Sequence, residues 1–250
     1  MKKLLIVANW KMNQTIGEAA EYVADFVPRL AGWDRGAAVI CPPFTSLAYL
    51  SEALRDTGIH LGAQNVFWEP KGAFTGEIST AMLLELGCRY VIIGHSERRQ
   101  IMGESDQNIN RKLRSASSSG LVPIFCVGET LPEREAGQAR EVVQRQLQQG
   151  LAGWELQDLV IAYEPVWAIG TGLNASPADA QEMCGYIREA LAMIWNQSWA
   201  AAVPILYGGS VTALNISGFV EQADINGALV GGASLDPEQF ARIVRLNTDA

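Results

Sequence analysis

The sequence predicts an α/β fold, a closed (β/α)8 barrel in which eight parallel strands stand inside an outer ring of helices. Eight short apolar, β-branched runs recur at intervals, each trailed by an amphipathic segment, and no linker, low-complexity stretch or change of composition divides them. The runs are continuous rather than alternating, as expected for strands buried on both faces of a parallel sheet. A chain of 250 residues could hold one large core or two ordinary domains. Barrels commonly fill this length as one unit, and we expect a single domain over residues 1–250.

In order, the runs are Lys3 to Trp10, Ala37 to Cys41, Ile59 to Asn65, Arg89 to Gly94, Leu121 to Gly128, Leu159 to Glu164, Val203 to Tyr207 and Gly227 to Gly231. The opening "MKKLLIVANWKMN" has the basic start of a signal peptide, but Asn9-Trp10-Lys11 interrupts its apolar run too early for a secretory core, so it reads as the first strand. Helix starts are written at Thr15-x-x-Glu18 and Thr130-x-x-Glu133, which have capping-box spacing, and at Ser176-Pro177 and Asp236-Pro237, each a capping residue before a first-turn proline. The rival is an open doubly wound sheet, which usually carries a glycine-rich turn after its first strand; here that turn reads Asn9-Trp10-Lys11-Met12-Asn13.

Composition narrows the function. The chain is 48% hydrophobic and 18% charged, ordinary for a soluble enzyme, and no apolar run approaches the ~20 residues of a membrane helix. A formal charge of −8 disfavours nucleic acid and anionic lipid, so any phosphate must be held in a local pocket. Cys41, Cys88, Cys126 and Cys184 form no C-x-x-C pair, which points away from a zinc or thioredoxin site and toward reduced thiols in the cytoplasm.

Reactive groups of such a barrel sit where strands end. Those ends carry Asn9 and Lys11, His95, Cys126, Glu164, Gly208-Gly209-Ser210 and Gly231-Gly232. In "AYEPVWAIGTG", residues 162–172, Glu164 closes a buried strand beneath a flap of Pro165, Val166, Trp167 and the turn Gly170-Thr171-Gly172. A lone glutamate is usually a surface group. Under a flap that excludes water, desolvation would raise its pKa and make it a general base. In "IIGHSERR", His95 precedes a helix start with Ser96 and Glu97 in the first turn, where backbone N–H groups favour a neutral ring that donates to a carbonyl oxygen. The other histidine, His60, lies inside a strand with no polar motif around it. Lys11 on the rim suits an anion, or a salt bridge to Glu97, or both. The glycine loops offer unobstructed N–H donors for phosphate, and without a Walker A lysine motif that phosphate belongs to a small substrate rather than a nucleotide.

These groups describe proton abstraction beside a carbonyl, an enediolate steadied by imidazole and ammonium, and return of the proton to the neighbouring carbon. That is aldose–ketose isomerisation, and it requires no metal or organic cofactor. General base catalysis typically gives ~10² to 10⁴ in rate, and one oxyanion donor is worth roughly 3 to 4 kcal/mol, so neither suffices alone. A lid over the enediolate would both dry the base and stop expulsion of phosphate.

The stretches "ANWKMN" at 8–13, "GAFTGEIS" at 72–79, "IIGHSERR" at 92–99, "AYEPVWAIGTG" at 162–172, "YGGSV" at 207–211 and "LVGGASL" at 229–235 run from end to end of the chain. By them the whole sequence resembles the triosephosphate isomerases, the enzymes of the TIM barrel and themselves the standard illustration of a glutamate base working with a neutral histidine. The resemblance implies cofactor-free interconversion of dihydroxyacetone phosphate and D-glyceraldehyde 3-phosphate, in glycolysis and gluconeogenesis. It implies Glu164 as base, His95 as electrophile, Lys11 as electrostatic anchor and Asn9 holding the substrate oxygen. It also implies a phosphate grip from Gly170, Ser210, Gly231 and Gly232, with Ser96, Glu97 and Cys126 in support. A cytoplasmic homodimer is implied too, joined through the long segment around residues 65–79, with Thr75 reaching the neighbouring site. A self-packed or mobile loop is the alternative there. One departure is Gly172-Leu173-Asn174-Ala175, where many relatives carry "GTGK", which alters the far hinge of the lid. Two competing functions are another phosphosugar isomerase barrel, such as one of amino-acid biosynthesis, and a non-catalytic phosphosugar sensor.

Overall fold

A computed structural model of the protein describes residues 2–154, 157–168 and 175–246. Its strands are β1 (Leu4–Asn9), β2 (Gly36–Cys41), β3 (His60–Ala63), β4 (Tyr90–Ile93), β5 (Val122–Val127), β6 (Val160–Tyr163), β7 (Ile205–Tyr207) and β8 (Gly227–Val230). Each pairs in parallel with the next, and β1 closes the ring on β8 with Leu5 opposite Gly227. Each expected run coincides with one strand, β2 starting one residue before its run, at Gly36. Most runs extend a residue or two beyond theirs, and at the C-terminal ends of β4, β5, β6 and β8 the excess residues Gly94, Gly128, Glu164 and Gly231 have left the ladder to form the rim.

The alternation of a strand sorts its residues into two layers. Leu5, Val7, Val39, Ile92, Ile124 and Leu206 belong to a cluster made of strand residues alone, which fills the barrel. Ile6, Ala8, Ile40, Ile93, Phe125 and Ile161 pack with helix residues such as Phe26, Leu47 and Leu113. Both faces are therefore dry, which is why the runs show no polar alternation.

The expected helix starts are present. Glu18 accepts the Thr15 N–H at 2.7 Å and Glu133 that of Thr130 at 2.8 Å, while Ser176 accepts from Asp179 at 3.1 Å and Asp236 from Gln239 at 2.8 Å. The outer ring closes as the barrel does. Phe240 of the helix Pro237–Arg245 stacks on Phe26 of the helix Ile16–Arg29, and Arg245 donates to the Arg29 and Ala31 carbonyls.

Candidate active site

The closed ring brings Asn9, Lys11, His95, Glu164, Ser210, Gly231 and Gly232 to one cavity of about 320 Å³ at the C-terminal ends of the strands. That lies within the usual size range of small-molecule sites. Gly170, Leu173 and Asn174 lie outside the described residues; Ala175, where description resumes, is buried.

Glu164 follows β6 directly and is 2% exposed. Its Oε1 stands 2.9 Å from His95 Nε2, and its Oε2 accepts the Ser96 N–H at 2.9 Å. Its backbone is tied to the end of β5: the Glu164 N–H donates to the Val127 carbonyl at 2.8 Å and the Val166 N–H to that of Glu129 at 3.1 Å. Two glycines leave it room. A Cβ on Gly128 would come within 1.8 Å of the Glu164 carbonyl oxygen, and one on Gly208 within 3.0 Å of its Cγ.

These contacts correct the expected direction of its pKa. Burial does oppose the carboxylate's charge, but the His95 charge and hydrogen bond, the Ser96 N–H and Lys11 together outweigh it. The carboxyl accordingly sits below its ordinary value rather than above it.

His95 caps the short helix Ser96–Gln100, and its Nδ1 accepts the Glu97 N–H at 3.3 Å. The proton therefore belongs on Nε2, aimed at Glu164, a tautomer assigned from its partners. Here too the pairing alters the expectation. Burial lowers the ring's pKa, yet the charge and hydrogen bond of Glu164, with the charge of Glu97, raise it above its ordinary value. Both corrections have one origin, the contact between acid and imidazole.

Lys11 Nζ meets Glu97 Oε1 at 2.8 Å, the salt bridge anticipated, while its side chain still borders the cavity. Its backbone is left-handed at φ +52°, a conformation uncommon outside glycine. Two hydrogen bonds hold it there: the Lys11 N–H donates to Asn9 Oδ1 at 3.1 Å, and Gln64 Nε2 donates to its carbonyl at 2.8 Å. Gln64 also reaches the Cys41 carbonyl at 2.9 Å. Cys126 is fully buried beside Glu164; burial, then the carboxylate's charge, pushes its thiol well up, so it fills space and is no nucleophile.

Across the cavity, a Cβ on Gly231 would stand 3.4 Å from Lys11 Cε, one on Gly209 would strike the Tyr207 hydroxyl at 2.2 Å, and one on Gly232 would meet nothing within 4 Å. Thr75 does not line this cavity. It is exposed on the segment after β3, whose base is closed by the Phe67 N–H donating to the Ile78 carbonyl at 2.8 Å and by Asn65 accepting from buried Lys112 at 2.8 Å. The base is thus self-packed and the tip exposed.

Sequence reasoning missed Gln64 and Glu129 at the rim. Gln64 was readable by the criterion that found Asn9, an amide at a strand's C-terminal end. Glu129, two residues beyond β5, is fully buried and accepts from the Tyr163 hydroxyl at 3.0 Å, Trp167 Nε1 at 2.8 Å and Arg134 at 3.3 Å. It fastens the base of the flap, where Val166–Ala168 form a 3-10 turn. Among the described residues no group of three or more His, Cys, Asp or Glu is placed to hold a metal ion, and no helix is long and apolar enough to cross a membrane.

A buried carboxylate against an imidazole, beside a rim lysine and two glycine loops on an eight-stranded barrel, defines a sugar-phosphate isomerase of the barrel class. A sequence profile described as triosephosphate isomerase matches residues 4–247. Proteins named triosephosphate isomerase from Symbiobacterium thermophilum (52% identical, covering 100% of this chain and 99% of that protein), Moorella thermoacetica (54%, 98% and 98%) and Dictyoglomus thermophilum (50%, 98% and 100%) are similar over essentially their full lengths. The chain belongs to the triosephosphate isomerase family.

Proposed function

We propose that the protein interconverts dihydroxyacetone phosphate and D-glyceraldehyde 3-phosphate through an enediolate, with no cofactor. The observation that carries this is the 2.9 Å approach of Glu164 and His95 at the edge of the cavity that Lys11 and the glycine loops share.

The held arrangement is the resting one. Glu164 is kept weakly basic by the donors of His95 and Ser96. When a substrate carbonyl takes the His95 Nε2–H and the carboxylate turns to the carbon, Glu164 loses those donors while staying buried, and its basicity rises. The imidazole, neutral with Nδ1 engaged by the Glu97 N–H, donates its Nε2–H to the developing oxyanion beside Lys11. Asn9 steadies the same oxygen. Gly170, Ser210, Gly231 and Gly232 grip the phosphate, and the flap that begins at Val166 and Trp167 excludes water during transfer.

The protein works as one domain in the cytoplasm, a reading supported by four free, buried cysteines, and as a homodimer. Met12, Phe74, Ile101 and Met102, 96, 42, 72 and 65% exposed, lie in the connections that follow β1, β3 and β4, and Met82, 49% exposed, on the helix Thr80–Glu85. So many exposed apolar side chains in the connections after three strands favour a protein interface. There a second copy would cover them and receive Thr75.

A coupled assay with glyceraldehyde 3-phosphate tests the activity, and Glu164→Asp or Gln tests the base. Turnover should fall by about 10²-fold or more while a phosphorylated analogue still binds. A folded protein that binds the analogue but shows no turnover would instead be a sensor. Unchanged turnover in the variants would remove Glu164 from its role.

A further inference from the structure

We infer that Gln146 is a positioning residue for the base, acting through the backbone of Gly128; this rests on Glu164 being that base. Gln146 belongs to the helix Ala139–Gly150, far from the cavity in sequence, yet it is 5% exposed. Its Oε1 accepts the Gly128 N–H at 2.8 Å and its Nε2 donates to the Gly128 carbonyl at 3.1 Å. A single side-chain amide thus satisfies both polar groups of one backbone residue, as a neighbouring strand would.

The reason lies in the ladder. β4 last pairs with β5 at Ile93 opposite Phe125, so beyond that point β5 has no strand on its β4 side. Side chains take over the edge. Arg99 bridges the Gly94 carbonyl at 2.8 Å and the Cys126 carbonyl at 3.2 Å, and Gln146 serves Gly128. On the β6 side, Gly128 stands between the two carbonyls, Val127 and Glu129, that accept the N–H groups of Glu164 and Val166. It also lies so close to the Glu164 carbonyl that a Cβ would approach within 1.8 Å. A shift of Gly128 therefore moves the base and the root of the flap together. Buried polar groups left without partners are costly, so the carbonyl and N–H of Gly128 would rearrange if the amide were removed.

Gln146→Met keeps the length of the side chain and removes both bonds; Gln146→Glu retains an acceptor for the Gly128 N–H. Steady-state kinetics per active site, titrated with a phosphorylated analogue, should show kcat reduced about 10- to 100-fold in the Met variant and less in the Glu variant. KM should change less than kcat and stay within about threefold, because Ser210, Gly231 and Gly232, three of the four residues of the phosphate grip, follow β7 and β8. A merely structural residue would lower the melting temperature and the titratable fraction but leave kcat per site intact. The inference is overturned if kcat per site in the folded variants stays within about twofold of the parent. It also fails if neither variant folds, for Gln146 would then serve the fold. Glu164→Gln measured alongside keeps the readings apart: loss of turnover there with intact Gln146 variants discards only the positioning role.

Discussion

Two carboxylates lie buried near the flap, and their surroundings differ in kind. Glu164 is held by an imidazole and by the backbone N–H and hydroxyl of Ser96, partners that the carboxylate can leave for a substrate. Glu129 is held by the Tyr163 hydroxyl, the Trp167 indole and Arg134, none of which lines the cavity. Arg134 also lies over the Trp167 ring, 4.3 Å from its centroid. Burial alone does not make a buried acid reactive. What separates the two is whether the partners of the charge can be exchanged during a reaction.

The sharpest way to break this contrast is to neutralise each acid and compare turnover with stability. Glu164→Gln should lose orders of magnitude in turnover yet shift unfolding free energy by only about 1 to 2 kcal/mol, since its amide oxygen can still accept the Ser96 N–H. Glu129→Leu should do the reverse. Leaving the Tyr163 hydroxyl and Trp167 N–H without this acceptor costs about 2 to 4 kcal/mol in a denaturant titration, with turnover down about tenfold or less through the flap. Equal losses of turnover would erase the distinction.

The smallest effect is on pH dependence. The Glu164 carboxyl sits below its ordinary value of 4.5, so its contribution to stability is complete above that pH and is lost as pH falls through the lower, folded value. The His95 ring sits above its ordinary 6.5, so its contribution is complete below 6.5 and is lost as pH rises through the folded value. Unfolding titrations of Glu164→Gln should show a shallower acid decline than the parent and a weaker dependence above pH 6.5. Parallel curves would mean that the two groups are not coupled in solution.

The strands and most of the rim were legible in the sequence because continuous apolar runs mark a sheet covered on both faces, and a polar residue ending such a run is pinned to the mouth. Asn9, His95 and Glu164 were found this way. Glu129 and Gln146 were not, since each acts by reaching across to a neighbouring strand or carbonyl, and nothing in local pattern announces such a reach. The pKa directions failed for the same reason: helix N–H groups and burial can be read locally, whereas the approach of His95 to Glu164 depends on two strands that are not adjacent in the ring.

The left-handed backbone of Lys11 carries a consequence for redesign. Glycine would relax that twist, and a programme selecting only for thermal endurance would be drawn to it, yet the ammonium would vanish with the strain. Any search for a hardier variant should therefore hold residue 11 fixed and leave Asn9 and Gln64, its two tethers, untouched.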